Sequence, residues 1–287
     1  MSRLPRLPAP VPAALAAVPA VAPAFGLAFA LAFAPGPRAA AQSPSPGDVV
    51  AAEVLPGWRT ERGTRMAALR LTLAPGWKTY WRAPGDAGIP PRFDWAGSDN
   101  LAGVSFHWPA PDVFETYGIR TIGYADELVL PMELRPARPG APIRVSARME
   151  LGVCETVCIP AELTFSAEID GAGTADPAIR AALDDRPVPG RAAGVAEVRC
   201  TLAPIDDGLR LDARIAMPPL GAEEVALVEA GDPGIWVSEP QVARSGGALH
   251  LRADLVPPPG AALAVDRSEL RFTLLGRDRA VDIRGCD

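Results

Sequence analysis

The chain has 287 residues, 28 Lys+Arg against 34 Asp+Glu, and a formal net charge of −6. At about 100–200 residues per domain, that length suggests two domains, each able to bury a core. An acidic chain without a Lys/Arg block excludes a nucleic-acid footprint. Two histidines, His107 and His250, argue against a His-rich metal enzyme or a His-based hydrolase. Lys78 is the sole lysine, a bias that with 33 prolines reads as genomic composition. Most of the functional information therefore rests on four cysteines.

Residues 1–41 read as a cleaved signal peptide. Arg3 and Arg6 form a short positive start, and an apolar run extends from Ala24 to Ala34. Ala39-Ala40-Ala41 before Gln42 fits an A-x-A cleavage site. Pro12, Pro19 and Pro23 leave too short an uninterrupted span for a membrane anchor, which needs about 20 apolar residues. The mature chain would be residues 42–287, exported to the periplasm, at a net charge of −9 once Arg3, Arg6 and Arg38 are removed. Export makes disulfides possible.

Period-two alternation dominates the chain beyond residue 42, and it predicts an all-β protein. Ala67, Leu69, Leu71 and Leu73 alternate with Ala68, Arg70 and Thr72. Ile143, Val145, Ala147, Met149 and Leu151 alternate with polar residues, as do Ala161, Leu163, Phe165, Ala167 and Ile169. Between these two segments lies Cys154-Glu155-Thr156-Val157-Cys158. A three-residue hairpin loop at Glu155–Val157 sets the cysteines directly opposite one another. It also pairs Leu151 with Ala161, Met149 with Leu163, Ala147 with Phe165 and Val145 with Ala167. Parity then turns both cysteines away from the main core, within disulfide reach of about 4.5–5.5 Å between Cα atoms. A bond across so short a loop gains little chain entropy. Its position favours an exchanging redox pair over a structural disulfide or a soft-metal site such as one for Cu(I). No His or Lys lies near in sequence to activate a thiolate, and Glu155 would oppose one.

Asp176 as N-cap and Pro177 at the first helical position predict a short helix over Ala178–Leu183. It lies in a linker, residues 171–193, between a first β domain at 45–170 and a second at 194–287. Both have the size of an immunoglobulin-like sandwich. In the second, Leu209–Ile215, Ala248–Leu255, Arg271–Leu275 and Ala280–Ile283 alternate as strands. Cys200 and Cys286, near its first and last strands, are expected to form a structural disulfide. The alternatives are a free Cys286 or pairing with another chain. His107 reads as a half-exposed strand residue, Asp86 and Asp94 as turn residues, and Trp77, Trp81, Trp95 and Trp108 mainly as packing.

One run of motifs is distinctive: Gly76-Trp77-Lys78-Thr79-Tyr80-Trp81-Arg82-Ala83-Pro84-Gly85-Asp86-Ala87-Gly88, then Pro90-Pro91-Arg92-Phe93-Asp94-Trp95, Trp108-Pro109-Ala110-Pro111 and Gly123-Tyr124. With the Cys154–Cys158-Ile159-Pro160 hairpin it resembles the periplasmic N-terminal domain of the membrane thiol:disulfide interchange protein DsbD. The closer likeness is to the branch found in its copper-tolerance relative ScsB. The resemblance spans about residues 45–190. It implies an immunoglobulin-like sandwich whose Cys154/Cys158 pair relays electrons, without a cofactor or metal. The partners it implies are a membrane thiol reductase of DsbD type and periplasmic thioredoxin-like or disulfide isomerase proteins. It also implies a cap over the disulfide or a partner surface, for which Tyr80, Trp81, Phe114, Tyr117 and Tyr124 are candidates. Tyr80–Gly88 and Phe114–Gly118 are equal choices for the covering loop. The three-residue spacing is shorter than in the best-known domain of this type. As the chain ends at Asp287, any relay is expected to use separate polypeptides. The alternative is a Cu(I)-binding or structural envelope module without redox turnover.

Overall fold

Alternating apolar and polar residues fold as strands because each strand buries one face. In the computed structural model, which describes residues 45–85, 88–116, 118–277 and 279–287, the result is almost entirely β. The predicted leader, Asp86 and Tyr117 lie outside the described residues.

The N-terminal half begins with a one-turn helix, α1 (Pro46–Val49). Its strands are β1 (Val50–Arg59), β2 (Arg65–Leu73), β3 (Lys78–Tyr80), β4 (Arg92–Asp94) and β5 (Leu101–Phe106). They continue with β6 (Asp112–Thr116), β7 (Ile119–Ala125), β8 (Glu127–Pro136), β9 (Ile143–Cys154) and β10 (Cys158–Ile169). One sheet orders them β1-β2-β8-β5; the other orders them β10-β9-β3-β7-β6, with β4 beside β9. Leu69, Leu71, Leu130 and Met132 of the first sheet and Val145, Met149, Leu151 and Val153 of the second fill one core. Two sheets closing on a shared core make a sandwich of the immunoglobulin-like kind. Trp95 meets Phe165 edge-on at 5.8 Å, and Trp108 stacks on Tyr124 at 6.5 Å. These four aromatic residues thus line the inside of the sandwich rather than its surface.

A helix, α2 (Pro177–Asp184), comes after β10. Asp176 caps it by accepting from the Ala178 and Ile179 amides at 2.7 and 3.3 Å. Ile179 packs with Leu55, Met66 and Ala68. The even positions of β2, which alternation alone assigns to water, are therefore buried beneath α2. Only Arg70 and Thr72, beyond the helix, keep contact with solvent.

The C-terminal half contains β11 (Val188–Pro189), β12 (Glu197–Ile205), β13 (Gly208–Ala216), β14 (Val225–Glu229) and β15 (Trp236–Val237). After these come β16 (Gln241–Ser245), β17 (Ala248–Val256), β18 (Arg271–Leu275) and β19 (Ala280–Arg284). They form the sheets β11-β19-β18-β14 and β12-β13-β17-β15, with β16 also on β17. Leu211, Leu249 and Leu251 face Phe272, Leu274 and Val281 across a second core. Leu227, Leu275 and Ala280 of this half join the first core. Arg82 donates to Glu229 at 3.0 Å across the same contact, its guanidinium stacked 3.8 Å from the Trp81 ring.

Candidate functional site

The β9/β10 hairpin holds the first cysteine pair. Leu151 pairs with Ala161, Met149 with Leu163, Ala147 with Phe165 and Val145 with Ala167. Twelve consecutive pairs run without a bulge to Cys154 opposite Cys158, with only Glu155, Thr156 and Val157 in the turn. The two cysteines are bonded, their Cα atoms 4.1 Å apart. Successive side chains alternate between faces. Val153 thus enters the core, and Cys154 points to the outer face of the sheet.

That outer face is wet as far as Glu150 and dry beyond it. The reason is β3, whose Lys78 pairs with Cys154 and Thr79 with Val153. The next residue, Tyr80, lays its ring over Gly152. A Cβ at Gly152 would come within 2.8 Å of both Tyr80 Cε2 and Ile89 Cβ. The absence of a side chain at Gly152 is thus what admits the ring. The Tyr80 hydroxyl lies 2.7 Å from Cys154 Sγ and 3.1 Å from Cys158 Sγ. Disulfide sulfurs carry no proton, so the hydroxyl donates to them. Burial pushes the Tyr80 phenol above its ordinary pKa, so it stays protonated at neutral pH.

The two sulfurs consequently differ. Cys154 is 6% exposed beneath Tyr80, whereas Cys158 opens to solvent beside Val157, itself 68% exposed. This corrects the expectation of two equally outward cysteines: parity gives the face, but Tyr80 and Ile89 cover half of it. Lys78 and Cys154, remote in sequence, become cross-strand neighbours, and Lys78 Nζ sits 4.8 Å from the centre of the Phe114 ring.

Of the candidate cap residues, Tyr80 touches the disulfide and Phe114 touches Lys78. Trp81 and Tyr124 do not reach the surface. Trp81 comes directly after Tyr80 on an extended segment, points to the opposite face and is fully buried in the core. Tyr124 pairs with Thr79, shares its inward face and donates to the Pro109 carbonyl at 2.9 Å. Burial holds its phenol well above the usual range. Both are packing residues.

The second pair, Cys200 and Cys286, is also bonded, with Cα atoms 5.8 Å apart and a sequence separation of 86. Cys200 is buried in the second core, and Cys286 packs against it. Among the described residues no group of three or more His, Cys, Asp or Glu is placed to hold a metal ion. His107 is half-buried between Arg186 and Glu133, and burial lowers its pKa. Asp94 closes a turn by accepting from the Ala96 amide at 2.9 Å.

Sequence reasoning missed Gly152 and Lys78. The signal for the first was a residue without a side chain on the outer face of an otherwise polar strand, two positions before a cysteine. Gly152→Val is expected to push the Tyr80 ring off the disulfide. Because burial is what raises the Tyr80 phenol, its titration should then move down toward the ordinary tyrosine range. Ultraviolet titration against the Tyr80→Phe variant reads this directly, and an unchanged Tyr80 transition would mean the ring is not displaced.

A β-sandwich that carries a two-cysteine hairpin under a tyrosine hydroxyl has the attributes of a thiol–disulfide interchange domain. Residues 51–168 match the family described as thiol:disulfide interchange protein DsbD, N-terminal. Among solved structures, the N-terminal periplasmic domain of ScsB from Proteus mirabilis aligns with a TM-score of 0.62 at 23% identity. The alignment covers 83% of this chain and 92% of that one, so the shared fold extends well beyond residues 51–168. The reduced N-terminal domain of Neisseria meningitidis DsbD aligns at 20% identity and a TM-score of 0.26, over 45% of this chain and 90% of that one. No curated protein sequence matches the chain significantly.

Proposed function

We propose that the chain is a periplasmic thiol–disulfide exchange protein. In this reading Cys154 and Cys158 carry electrons between a membrane thiol reductase of DsbD type and thioredoxin-like or disulfide isomerase partners. The observation that carries it is the asymmetry of the pair: Cys158 open to solvent, Cys154 covered and nearer the Tyr80 hydroxyl, at 2.7 against 3.1 Å. A thiolate of the reduced partner attacks Cys158 Sγ. A bond forms between them as the Cys154–Cys158 bond breaks, and the electron pair leaves on Cys154 Sγ. The partner's second thiol, after losing its proton, attacks its own sulfur in the mixed disulfide and releases Cys158 as a thiolate. Both released thiolates take up protons according to the pH. The partner ends as a disulfide and this chain as a dithiol, two electrons richer; the reverse sequence passes them on.

The proposed organisation is a signal peptide at 1–41, a redox sandwich at 45–170, a linker with a short helix at 171–193 and a second sandwich at 194–287. Export is supported by the leader pattern and by the periplasmic origin of the ScsB domain whose fold the chain shares. No helix among the described residues is long and apolar enough to cross a membrane. Tyr80 serves as the cap, and Phe114 and the exposed Ile89 and Val157 belong to the partner-facing surface.

The test is to expose the oxidised chain to a reduced thioredoxin-like protein at a poise of about −270 mV. Alkylation and mass spectrometry should then find Cys154 and Cys158 modified and the Cys200–Cys286 bond intact. A 154–158 pair that stays oxidised at that poise would sink the proposal.

A further inference from the structure

We propose that Lys78 is the electrostatic positioning residue of the exchange, its ammonium holding the leaving Cys154 sulfur as a thiolate. The inference rests on the exchange reading and adds the group that makes its first step asymmetric. In antiparallel ladders, paired residues share a face, with Cβ atoms about 4.5–5.5 Å apart. Lys78 pairs with Cys154, and Cys154 with Cys158, so the three form one row across β3, β9 and β10. Cys154 stands in the middle, with its disulfide partner on one side and a cation on the other. When the S–S bond breaks, the electron pair stays on Cys154, the cysteine whose cross-strand neighbour is Lys78.

The surroundings favour this use of the charge. Among the described residues, Lys78 makes no ion pair with a carboxylate; its ammonium instead rests on the Phe114 ring at 4.8 Å. A ring face attracts a cation without neutralising it, so the charge remains available to a new anion. Lys78 is also the single lysine beside 27 arginines. An ammonium is a compact point charge on a flexible stem, suited to a single sulfur. Guanidinium geometry suits a two-oxygen partner instead. Tyr80 supplies the second stabilising contact from the next row, by donating its hydroxyl proton to Cys154 Sγ. The opposing charges on this face are Glu155 in the turn, Asp112 on β6, and Glu150 and Glu162 two rows along the hairpin from the Cys154–Cys158 pair. None of these four is cross-strand paired with Cys154.

The experiment compares Lys78→Met and Lys78→Arg in the full chain. In a Cys158→Ser background with Cys200–Cys286 intact, Cys154 is the one free thiol, and its thiolate absorbance can be tracked against pH. Lys78→Met should move that transition to higher pH, and Lys78→Arg should leave it near the unsubstituted position. In the chain with both cysteines, Lys78→Met should slow reduction by a small dithiol by about tenfold, with Lys78→Arg recovering most of the rate. A purely packing role would leave the thiolate transition where it was. A Cys154 transition unchanged by Lys78→Met overturns the inference and leaves the exchange reading standing. Failure of the thioredoxin-like donor to reduce the unsubstituted pair overturns the exchange reading instead.

Discussion

Cys154→Ala is expected to accumulate a mixed disulfide with a thioredoxin-like partner through Cys158, and Cys158→Ala to accumulate almost none. The argument is access. Attack on a disulfide sulfur is in line with the breaking bond, so the nucleophile must approach Cys158 from the side opposite Cys154. That side is open at the tip of the hairpin, next to Val157. The corresponding path to Cys154 comes in over β3, across Lys78 and against Tyr80 in the next row, whose ring is held on Gly152 and is itself 5% exposed. Once the partner is bonded to Cys158, both Cys154 and a second thiol on the partner would resolve the adduct. The partner used therefore carries one cysteine, oxidised as a mixed disulfide with a small thiol, and replacing Cys154 then leaves the adduct standing. Non-reducing electrophoresis of each variant with an oxidised partner reads the outcome. The Cys154→Ala adduct should exceed the Cys158→Ala adduct by at least about tenfold, since exchange rate depends on access to the attacked sulfur as well as on thiolate fraction. Equal trapping by both variants would mean that Tyr80 does not shield Cys154 in solution. Tyr80→Phe in the Cys158→Ala background separates the two contributions: it removes the hydrogen bond but keeps the shield, so trapping should stay low.

The hairpin that supports this prediction was legible residue by residue. Alternation on both strands and a three-residue gap leave one register in which the cysteines oppose, and β9 and β10 adopt it over twelve pairs. The helix cap at Asp176-Pro177 was legible for the same reason: the information is local. Four strands of the C-terminal half, β13, β17, β18 and β19, match their alternating segments to within a residue or two at each end. What alternation could not give is the layer above a sheet. It assigns Met66, Ala68, Gly152 and Cys154 to a face, but burial on that face depends on which distant segment crosses it. Ile179 covers the first two and Tyr80 the last two. Val188 and Pro189, read as linker, pair in parallel with Val281 and Asp282, a contact with no local signal at all. Grouping Tyr80 with Trp81 as cap candidates ignored a rule the sequence did contain. Neighbours on an extended segment point to opposite faces, so only one of the two could lie over the disulfide.

Replacing Cys200 and Cys286 together by alanine is expected to destabilise the C-terminal half by about 4–5 kcal/mol, the chain-entropy value for a loop of this length. The same relation gives only about 2 kcal/mol for the Cys154–Cys158 loop. On the exchange reading the two disulfides would serve different tasks, the long-range bond resisting unfolding and the short one opening without loss of the sandwich. Local contacts add to the difference. The Cys200 amide donates to the Asp287 carbonyl at 2.9 Å and the Asp287 amide to the Val198 carbonyl at 3.0 Å. The last residues are therefore held on β12 by two hydrogen bonds next to the covalent bond, and they should fray without it. A loss of this size is a large fraction of the roughly 5–15 kcal/mol typical of a domain. It should also reach the N-terminal half, because Leu227 and Leu275 complete the first core and Glu229 pairs with Arg82. Urea unfolding monitored by far-ultraviolet circular dichroism should show a lower midpoint for the double variant. Reduction of the 154–158 pair, measured below that midpoint, should proceed at close to the unsubstituted rate. A midpoint unchanged by the double substitution would remove the stabilising role. A large loss of exchange under folded conditions would mean that the C-terminal half contributes directly to the reaction at Cys158.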